Sequence, residues 1–480
     1  MQISQELIGR VAQRRELAAA LASPKAEMIA VIGRRRIGKT FLIRQAYGDQ
    51  IDFELTGLQN ESTPDQLFNF WISLKETLPV GEDLKRPTTW LEAFYALSVV
   101  LDGLERDRKL IVFFDELPWL ASKRSGFLTA LGWFWNSWAV KRAVVVVISG
   151  SAASWMIDKV VNDRGGLHNR ITRLLSLPPF TLAETEAFCK SRNIRLNREQ
   201  ILQLYLTIGG VPMYLDQLKA GLSAVQNIQA ICFAPTGYLR DEFDRLYHSL
   251  FSRPDRHIAI IRALASKRIG MNRAELLAAT KLENGGSFTR LLDELAASGF
   301  ISVYGGFKKQ VRENLYRLTD AYSLFYLTYI EKLGQGNPPN FTKLSELPRW
   351  VSWSGYAFEN VCLTHTDQIK KALGVSGIAT STASFQARGN DERRGAQIDL
   401  LIDRSDRSIN ICEAKYTQQP FTVTKAYATT IRQKLTVFAE RTNTRKHLFF
   451  TLISVAGVKP NAYSEQLVDQ LVVLDDLYAA

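Results

Sequence analysis

A chain of 480 residues is too long for one ordinary hydrophobic core, so it is expected to form several domains. Its composition, with 46% hydrophobic and 22% charged residues, is typical of globular proteins and excludes a disordered or fibrous chain. The net charge of +12 favours nucleic acid as a partner over a membrane. No apolar run approaches the roughly 20 residues that cross a bilayer.

The N-terminal segment has no basic stretch followed by an apolar one, so we expect no secretory leader and a cytoplasmic location. The four cysteines show no paired spacing, and this pattern indicates buried reduced thiols: Cys189, Cys232, Cys362 and Cys412.

The first motif is a glycine-rich loop between a predicted strand and a predicted helix. The apolar residues 28–32 lead into Gly33-Arg34-Arg35-Arg36-Ile37-Gly38-Lys39-Thr40, and Phe41 begins the helical pattern. This order fits a phosphate-binding loop, in which backbone N–H groups face phosphates at a helix N-terminus. Lys39 would reach the β- and γ-phosphates, and the Thr40 hydroxyl would ligate Mg²⁺. The sequence therefore predicts that the chain binds ATP or ADP with Mg²⁺.

Two further apolar strands end in polar residues. Residues 110–114 end in Asp115 and Glu116, which would hold Mg²⁺ through water and polarise the attacking water. Alternatively, these carboxylates cap the next helix. Residues 143–148 lead to Ser149 and Ser151, which lie either near the γ-phosphate or in an ordinary turn. Strands separated by helical stretches predict a parallel α/β sheet with the site at the carboxyl ends of its strands.

Residues 5 to 330 resemble the STAND class of AAA+ ATPases, in its archaeal-type MNS branch. The resemblance rests on ordered motifs: Ile8-Gly9-Arg10, the GRRRxGKT loop, Asp115-Glu116-Leu117-Pro118-Trp119, Asn169-Arg170 with Leu177-Pro178-Pro179-Phe180, and Gly209-Gly210-Val211-Pro212. It implies that Gly9 and Arg10 lie beside the nucleotide, that Arg170 senses the γ-phosphate, and that Pro212 touches the base. It also implies a nucleotide-dependent homo-oligomer. A surface arginine and a helix-breaking turn are the alternative interpretations of Arg170 and Pro212.

The middle of the chain reads as a helical lid followed by a winged helix-turn-helix. Three short helices, at residues 257–265, 272–280 and 287–298, precede two strands at 299–304 and 314–318. In such a fold the third helix enters the DNA major groove and a basic wing contacts phosphates. Residues available for these contacts are Arg290, Lys308, Lys309 and Arg312. Because acidic Asp293 and Glu294 share the third helix, an interdomain spacer is an equally open interpretation.

Beyond a Gly- and Pro-rich linker at residues 334–340, a second group of charged residues is predicted. A helix carries Glu359, a strand carries Asp399, and the return strand carries Glu413 and Lys415 on one face. Carboxylates that hold a metal and a lysine that activates its bound water suit a Mg²⁺-dependent phosphodiester hydrolase. A surface ion pair is the alternative. Arg432 and Lys434 on the next helix could approach phosphate, but ordinary exposed helix positions are expected.

These residues resemble the PD-(D/E)XK nuclease fold. The resemblance makes Glu359 the helix acid, Asp399 and Glu413 the metal acids, and Lys415 the catalytic lysine. Ile398 stands where the family has proline before the first metal acid.

The predicted fold class is α/β, with four domains. They are a P-loop ATPase core with a parallel sheet at 1–180, a helical lid at 181–250, a winged helix-turn-helix at 251–333 and a restriction-endonuclease-like α/β domain at 341–480. The predicted function is an ATP-hydrolysing switch that regulates a nuclease acting on nucleic acid, with DNA expected. The alternative is a regulatory NTPase whose C-terminal domain binds DNA or a partner without cleavage.

Overall fold

The computed structural model describes residues 7–77, 85–122, 124–162, 166–307, 314–332, 340–387, 389 and 395–479. The chain divides into two compact units, Met1–Pro178 with Leu292–Gly299 and Pro179–Leu291 with Phe300–Ala480. Residues 334–339 of the predicted linker and the predicted wing residues Lys308, Lys309 and Arg312 lie outside the described residues. No helix in the described segments is long and apolar enough to cross a bilayer. All four cysteines fall in these segments, where each is buried and none forms a disulfide, as predicted.

The first unit is built on a five-stranded sheet in which every pair of neighbours runs parallel, which confirms the predicted parallel sheet. Its strands are β1 (Glu27–Ile32), β2 (Phe53–Thr56), β3 (Leu110–Asp115), β4 (Val144–Gly150) and β5 (Arg173–Ser176), in the order β2-β3-β4-β1-β5. Its helices are α1 (Val11–Ala22), α2 (Lys39–Tyr47), α3 (Thr63–Thr77), α4 (Trp90–Asp102), α5 (Leu117–Leu120), α6 (Phe127–Ser137) and α7 (Ala153–Met156).

The sequence forms these strands because most of their residues are apolar, and the three central strands β3, β4 and β1 are almost entirely buried. Every residue of β1 and of β4 is buried, as expected for strands of a parallel sheet that is covered on both faces. An aromatic cluster packs against the sheet, with the rings of Trp90 and Phe127 meeting edge to face at 4.6 Å between centroids. This packing fixes the carboxyl ends of β3 and β4, where the polar residues of the site begin.

The second unit begins with a helical region. Its helices are α8 (Leu182–Ser191), α9 (Arg198–Ile208), α10 (Pro212–Leu215), α11 (Ala224–Ile228), α12 (Glu242–Leu250), α13 (Pro254–Ser266), α14 (Arg273–Thr280) and α15 (Gly286–Ala297), the last of which extends into the first unit. A hairpin of β6 (Ile301–Tyr304) and β7 (Leu315–Leu318) follows. Three helices and a hairpin therefore occur in the predicted order, while the identity of this region as a winged helix remains a prediction.

The break between α9 and α10 brings two of the sequence motifs together. The Phe180 N–H donates a hydrogen bond to the Gly210 carbonyl oxygen at 2.7 Å. A Cβ atom at Gly210 would lie 2.0 Å from the Phe180 carbonyl oxygen, so only glycine fits at this position. The Gly-Gly-Val-Pro segment is thus a site of close backbone approach as well as the start of a helix.

The remaining elements are a mixed five-stranded sheet, a separate pair of short parallel strands, and helices. They are α16 (Ala321–Phe325), α17 (Phe341–Ser345), α18 (Pro348–Thr364), α19 (Thr366–Ala372), β8 (Thr380–Ala387), β9 (Ala396–Arg404), β10 (Ser408–Lys415), β11 (Phe421–Thr422), α20 (Lys425–Thr442), β12 (His447–Ser454), β13 (Val458–Lys459), α21 (Ala462–Leu467) and β14 (Gln470–Val473).

The sheet order is β14-β12-β10-β9-β8, with β10 antiparallel to β9 and parallel to β12. The helix α20 makes the crossover that a parallel pair requires. The predicted helix with Glu359 and the predicted hairpin with Asp399 and Glu413 are confirmed as secondary structure. Their assignment to a nuclease fold remains a prediction.

Candidate functional site

The loop between β1 and α2 has the backbone geometry that its glycines predict. At Gly33 a Cβ atom would lie 2.8 Å from the Leu177 carbonyl oxygen, because the chain after β5 runs directly beside the loop. Gly38 has φ +88° and occupies the position before α2, where residues with a side chain are strained. The loop therefore curls closely between two strands and ends at a helix N-terminus, where the partial positive charge of the helix favours phosphate.

Lys39 is the buried cation of this loop. Its ammonium donates hydrogen bonds to the carbonyl oxygens of Gly33 at 2.9 Å and Arg34 at 3.2 Å, and to the Ser151 hydroxyl at 3.0 Å. Burial lowers the pKa of Lys39, and the Glu116 and Asp115 carboxylates oppose that shift. The side chain is only 6% exposed, so the loop holds its charge ready at the place where phosphates would enter.

Two carboxylates face the lysine from the end of β3. The Thr40 hydroxyl donates to Asp115 Oδ2 at 2.6 Å, and the Ser149 hydroxyl donates to the other oxygen, Oδ1. Glu116 accepts hydrogen bonds from the Ser151 hydroxyl and, at 3.1 Å, from the Ser151 N–H. The carboxylates therefore bind polar side chains of the site, which supports the functional interpretation over helix capping.

Ser149 and Ser151, for which the sequence left two interpretations open, both contact residues of the candidate site. Ser149 ends in contact with Asp115, and Ser151 joins Lys39 to Glu116. These contacts favour a place in the candidate site over that of an ordinary turn residue, and a position near the γ-phosphate stays a prediction. The structural sign was already in the sequence, in the small polar residues that follow the strand of valines.

The Gly9-Arg10 segment leads into α1 and is tied to the P-loop. Gly9 and Arg10 have φ +63° and +55°, so both adopt the left-handed conformation. Arg10 is 3% exposed, and its Nη2 donates to the Ile37 carbonyl oxygen at 3.4 Å. This contact brings one proposed nucleotide-binding segment onto the other.

The other predicted loop residues have different environments. Arg34 and Ile37 are buried, and the Arg35 guanidinium lies 4.8 Å from the centre of the Trp119 ring. Burial lowers the pKa of Arg35, against the nearby Glu116. Arg36 has φ +73° and is half-buried, as is Phe41 at the start of α2.

Arg170 and Pro212 were predicted to act on the γ-phosphate and on the base. Arg170 is exposed and follows a turn in which its N–H donates to the Leu167 carbonyl oxygen at 3.0 Å. Pro212 is half-buried at the first turn of α10, in the second unit. Their roles in sensing the γ-phosphate and touching the base remain predictions.

These side chains fit a nucleoside triphosphate with Mg²⁺. The Thr40 hydroxyl and the Asp115 carboxylate already lie within hydrogen-bonding distance, and both are oxygen donors of the kind Mg²⁺ prefers. Glycine at 33 and 38 leaves the backbone free of side chains on the phosphate side. Lys39 supplies the cation for the phosphates.

A second group of charges, here called the carboxylate cluster, lies in the second unit. It contains Glu359 on α18, Asp399 on β9 and Glu413 on β10. Lys415 Nζ lies 3.1 Å from Glu413 Oε1, as the alternation of β10 predicts. Lys434 Nζ lies 2.6 Å from Glu413 Oε2. The expectation that Lys434 is an ordinary exposed residue is therefore wrong, because α20 turns this side chain onto β10.

The other two carboxylates share a residue that sequence analysis missed. Arg317, on β7, places Nη2 at 2.8 Å from Glu359 Oε2 and Nη1 at 3.5 Å from Asp399 Oδ1. Gln397 also donates to Asp399 Oδ1 at 2.8 Å. The one sequence signal was an arginine within a short apolar strand, because an arginine that is buried in such a strand seldom lacks a partner.

The electrostatics of the cluster differ from one carboxylate to another. Burial and the neighbouring Asp399 raise the pKa of Glu359 to about 7, although Arg317 opposes the shift. Burial also acts to raise the pKa of Glu413, but the ammonium groups of Lys434 and Lys415 outweigh it and hold that pKa below its ordinary value.

The cluster does not fit a metal ion in this arrangement. Each carboxylate is already paired with a cation, and no group of three potential ligands among the described residues is placed to hold a metal. The sequence-based assignment of Asp399 and Glu413 as metal ligands is thus not met by the geometry, and it stays a proposal.

Comparison with known proteins bears on the N-terminal part. Residues 8–218 match a family of ATPase domains found predominantly in Archaea. An uncharacterized protein of Methanocaldococcus jannaschii is 22% identical over 400 residues, which covers 82% of this chain and 84% of that protein. The match of residues 8–218 confirms the predicted ATPase domain.

Two solved structures are similar to this chain at lower sequence identity. The Walker-type ATPase of Pyrococcus abyssi is 18% identical, with 68% of this chain and 97% of that chain covered and a TM-score of 0.47. The ORC2 protein of Aeropyrum pernix, solved in ADPNP-ADP complexes, is 17% identical, with 67% and 93% covered and a TM-score of 0.40. At these TM-scores neither likeness bears on function.

Proposed function

Starting from an archaeal-type ATPase domain at residues 8–218, we propose that the chain is an ATP-hydrolysing switch of the STAND type that regulates a nuclease-like C-terminal domain. The observation that carries the first part is the continuous network at the P-loop. It runs from Lys39 through Ser151 to Glu116 and includes the Thr40–Asp115 pair. The network contains a phosphate-binding cation, a pair of metal-binding oxygens and a carboxylate that can act on water.

Entry of a triphosphate would change the partners of Lys39. Its ammonium would exchange two loop carbonyl oxygens and the Ser151 hydroxyl for phosphate oxygens. Ser151 would then be free to hold Glu116 in a single orientation towards the attacking water. Mg²⁺, when bound by Thr40 and Asp115, would neutralise charge on the phosphates.

The test of this part is nucleotide binding by Lys39→Ala, with Lys141→Ala as the control because Lys141 is an exposed lysine of the same unit. We expect ATP binding to be lost in the first variant and unchanged in the second. ATP binding by folded Lys39→Ala at the affinity of the unmodified chain would refute the assignment.

For the C-terminal domain we propose a nuclease-type site at the carboxylate cluster, acting on nucleic acid and most naturally on DNA. What supports it is the convergence of Glu359, Asp399, Glu413 and Lys415 from one helix and two adjacent strands. The net charge of +12 also suits a polyanionic substrate. Because the cluster does not fit a metal ion as arranged, we derive no catalytic step for it.

Cleavage of single- and double-stranded DNA and RNA with Mg²⁺ or Mn²⁺, with and without ATP, tests this second part. Asp399→Asn should abolish any cleavage, while Asp406→Asn should not, because Asp406 lies in the β9–β10 turn and pairs with Arg404. If no nucleic acid is cut under any nucleotide condition, the nuclease proposal fails. If Lys39→Ala leaves cleavage unchanged, the proposed control by ATP fails.

One observation favours a second candidate, a regulatory NTPase whose C-terminal domain binds DNA or a partner without cleavage. The three carboxylates are neutralised by Arg317, Lys415 and Lys434, as in a structural ion-pair network. This candidate predicts an oligomeric state that changes between ATP and ADP, with Lys415→Ala leaving function intact. Sedimentation of the full chain with each nucleotide measures the first of these effects.

Three further residues have proposed roles in nucleotide sensing or DNA contact. Arg170 would reach a γ-phosphate within its own subunit or across a subunit boundary, and Pro212 would touch the base. Arg290 is exposed on α15, where it suits either a DNA contact or a spacer helix. Salt-dependent DNA binding that weakens in Arg290→Ala would favour the first of these roles.

A further inference from the structure

Arg317 lies between two carboxylates and against an aromatic ring. It is 3% exposed, and its two terminal nitrogens face Glu359 and Asp399 at 2.8 Å and 3.5 Å. The guanidinium also lies 4.7 Å from the centre of the Tyr356 ring. A single cation therefore joins carboxylates from α18 and β9, and an aromatic face covers it.

The remaining cations of the cluster occupy different positions. Lys415 and Lys434 both pair with Glu413. Arg317 pairs with Glu359 and Asp399, and it lies on a hairpin outside the five-stranded sheet that carries Asp399 and Glu413. Removal of Arg317 would leave two adjacent carboxylates with a charge that a divalent ion could neutralise.

The space around Arg317 decides whether an ion could bind beside it. The cavity lined by Arg317 and Asp399 has about 10 Å³, which is about the room that one water molecule needs. A second cavity, of about 360 Å³, is lined by Glu359, Lys415 and Arg268. An ion with its water shell therefore has no room next to the arginine, but the neighbouring cavity has room for a displaced side chain or for an entering phosphate.

We propose that Arg317 is an internal cation that occupies the place of a divalent metal ion between Glu359 and Asp399, so that the arginine and the metal exclude each other. This inference rests on the proposed nuclease-type site. Both cations would use the same carboxylate oxygens, and two positive charges a few ångströms apart repel strongly in a buried site. The cluster is consequently closed to metal until the Arg317 side chain moves away.

The backbone of Arg317 shows which kind of movement is available. The adjacent Tyr316 exchanges two backbone hydrogen bonds with Met271, at 2.8 and 2.9 Å. These bonds tie β7 to the residue before Asn272, which caps α14. Opening therefore requires either rotation of the Arg317 side chain alone or displacement of the hairpin together with the Met271 segment.

The test is direct binding of Mn²⁺ to the full chain without nucleotide, measured from the electron paramagnetic resonance signal of the free ion. We expect weak binding to the unmodified chain. Arg317→Met should bind one Mn²⁺ about tenfold more tightly or better. Asp399→Asn in the Arg317→Met background should remove that gain.

Arg262→Met is the matched control, because Arg262 forms an exposed ion pair with Glu331 in the same unit, at 2.7 Å. It should leave Mn²⁺ binding unchanged. Arg317→Lys keeps a positive charge and should give an intermediate affinity. Because this change is conservative, it tests the inference even if the methionine variant misfolds.

Two results would overturn the inference. One is tight Mn²⁺ binding by the unmodified chain that Asp399→Asn alone removes. The other is a folded Arg317→Met protein with unchanged Mn²⁺ affinity. If Arg317→Met gains the ion but cuts no nucleic acid, the nuclease proposal fails while this inference stands. If the unmodified chain cuts nucleic acid and its Mn²⁺ affinity does not change on substitution at position 317, this inference fails while the nuclease proposal stands.

Discussion

His365 makes the stability of the second unit depend on pH. The ring is 1% exposed, and its Nε2 accepts a hydrogen bond from the Leu182 N–H at 3.1 Å. Its Nδ1 lies 2.9 Å from the Val361 carbonyl oxygen, so Nδ1 carries the proton. Protonation of Nε2 would place one N–H against another and a charge in a buried site. Replacement by glutamine, which does not titrate, isolates this effect.

The magnitude follows from the pKa. Burial lowers the pKa of His365 from an ordinary value of 6.5 to about 4. Between these values the unfolded chain binds a proton that the folded chain does not, so stability is lost as the pH falls through that window. At about 1.4 kcal/mol per pH unit, the loss attributable to His365 between pH 7.5 and pH 5 is about 2 kcal/mol.

Urea denaturation of the unmodified chain and of His365→Gln, each at pH 7.5 and pH 5, measures the effect. The variant is expected to be less stable at pH 7.5, because it changes the buried contacts. The decisive quantity is the difference between the two pH dependences, since other titrating groups cancel in it. Parallel pH dependences for the two proteins would show that His365 is not held neutral by the fold.

Three further predictions concern other positions. Gly210→Ala should destabilise the second unit by about 2–3 kcal/mol, because the new Cβ would lie 2.0 Å from a carbonyl oxygen. Gly355→Ala should stabilise the second unit by about 0.5–1 kcal/mol, because Gly355 is on a helix and a Cβ there meets no atom within 4 Å. Equal changes in thermal stability for Gly210→Ala and Gly355→Ala would contradict the reasoning. Ser151→Ala should keep the ATP dissociation constant within about threefold and slow turnover about tenfold, which separate binding and steady-state assays resolve; unchanged turnover would exclude the positioning role. Asp52→Ala should cost about 3 kcal/mol in urea denaturation, because its 1% exposed carboxylate holds a bidentate arginine, and a loss no larger than in exposed Asp107→Ala would refute it.

The nucleotide site was predictable because its residues are close in sequence or follow long apolar strands. Gly33 to Gly38 form one loop directly before α2, and β1, β3 and β4 are mainly apolar, so these strands and the position of Asp115 at the carboxyl end of β3 followed from the pattern alone. The roles of Ser149 and Ser151 stayed open because a small polar residue after a strand also suits a turn. For Ser151, the contact with the Lys39 ammonium favours a place in the candidate site.

The charge pairing of the carboxylate cluster could not be predicted in the same way. Arg317 is 42 residues from Glu359, and Lys434 is 21 residues from Glu413. Helical periodicity indicates which face of α20 is polar, but it does not indicate which carboxylate that face meets. A buried arginine in a four-residue strand becomes interpretable once its partners in space are known.

The contact between Arg10 and the Ile37 carbonyl oxygen has a thermodynamic consequence. It joins the turn before α1, proposed to lie beside the nucleotide, to the loop proposed to face the phosphates. A ligand that orders one segment would lower the conformational entropy that a second ligand loses at the other. Adenosine and pyrophosphate, offered as separate fragments, should therefore each raise the affinity for the other by the same factor. The P-loop and the turn before α1 would then behave as one binding element, although some 25 residues separate them in the chain.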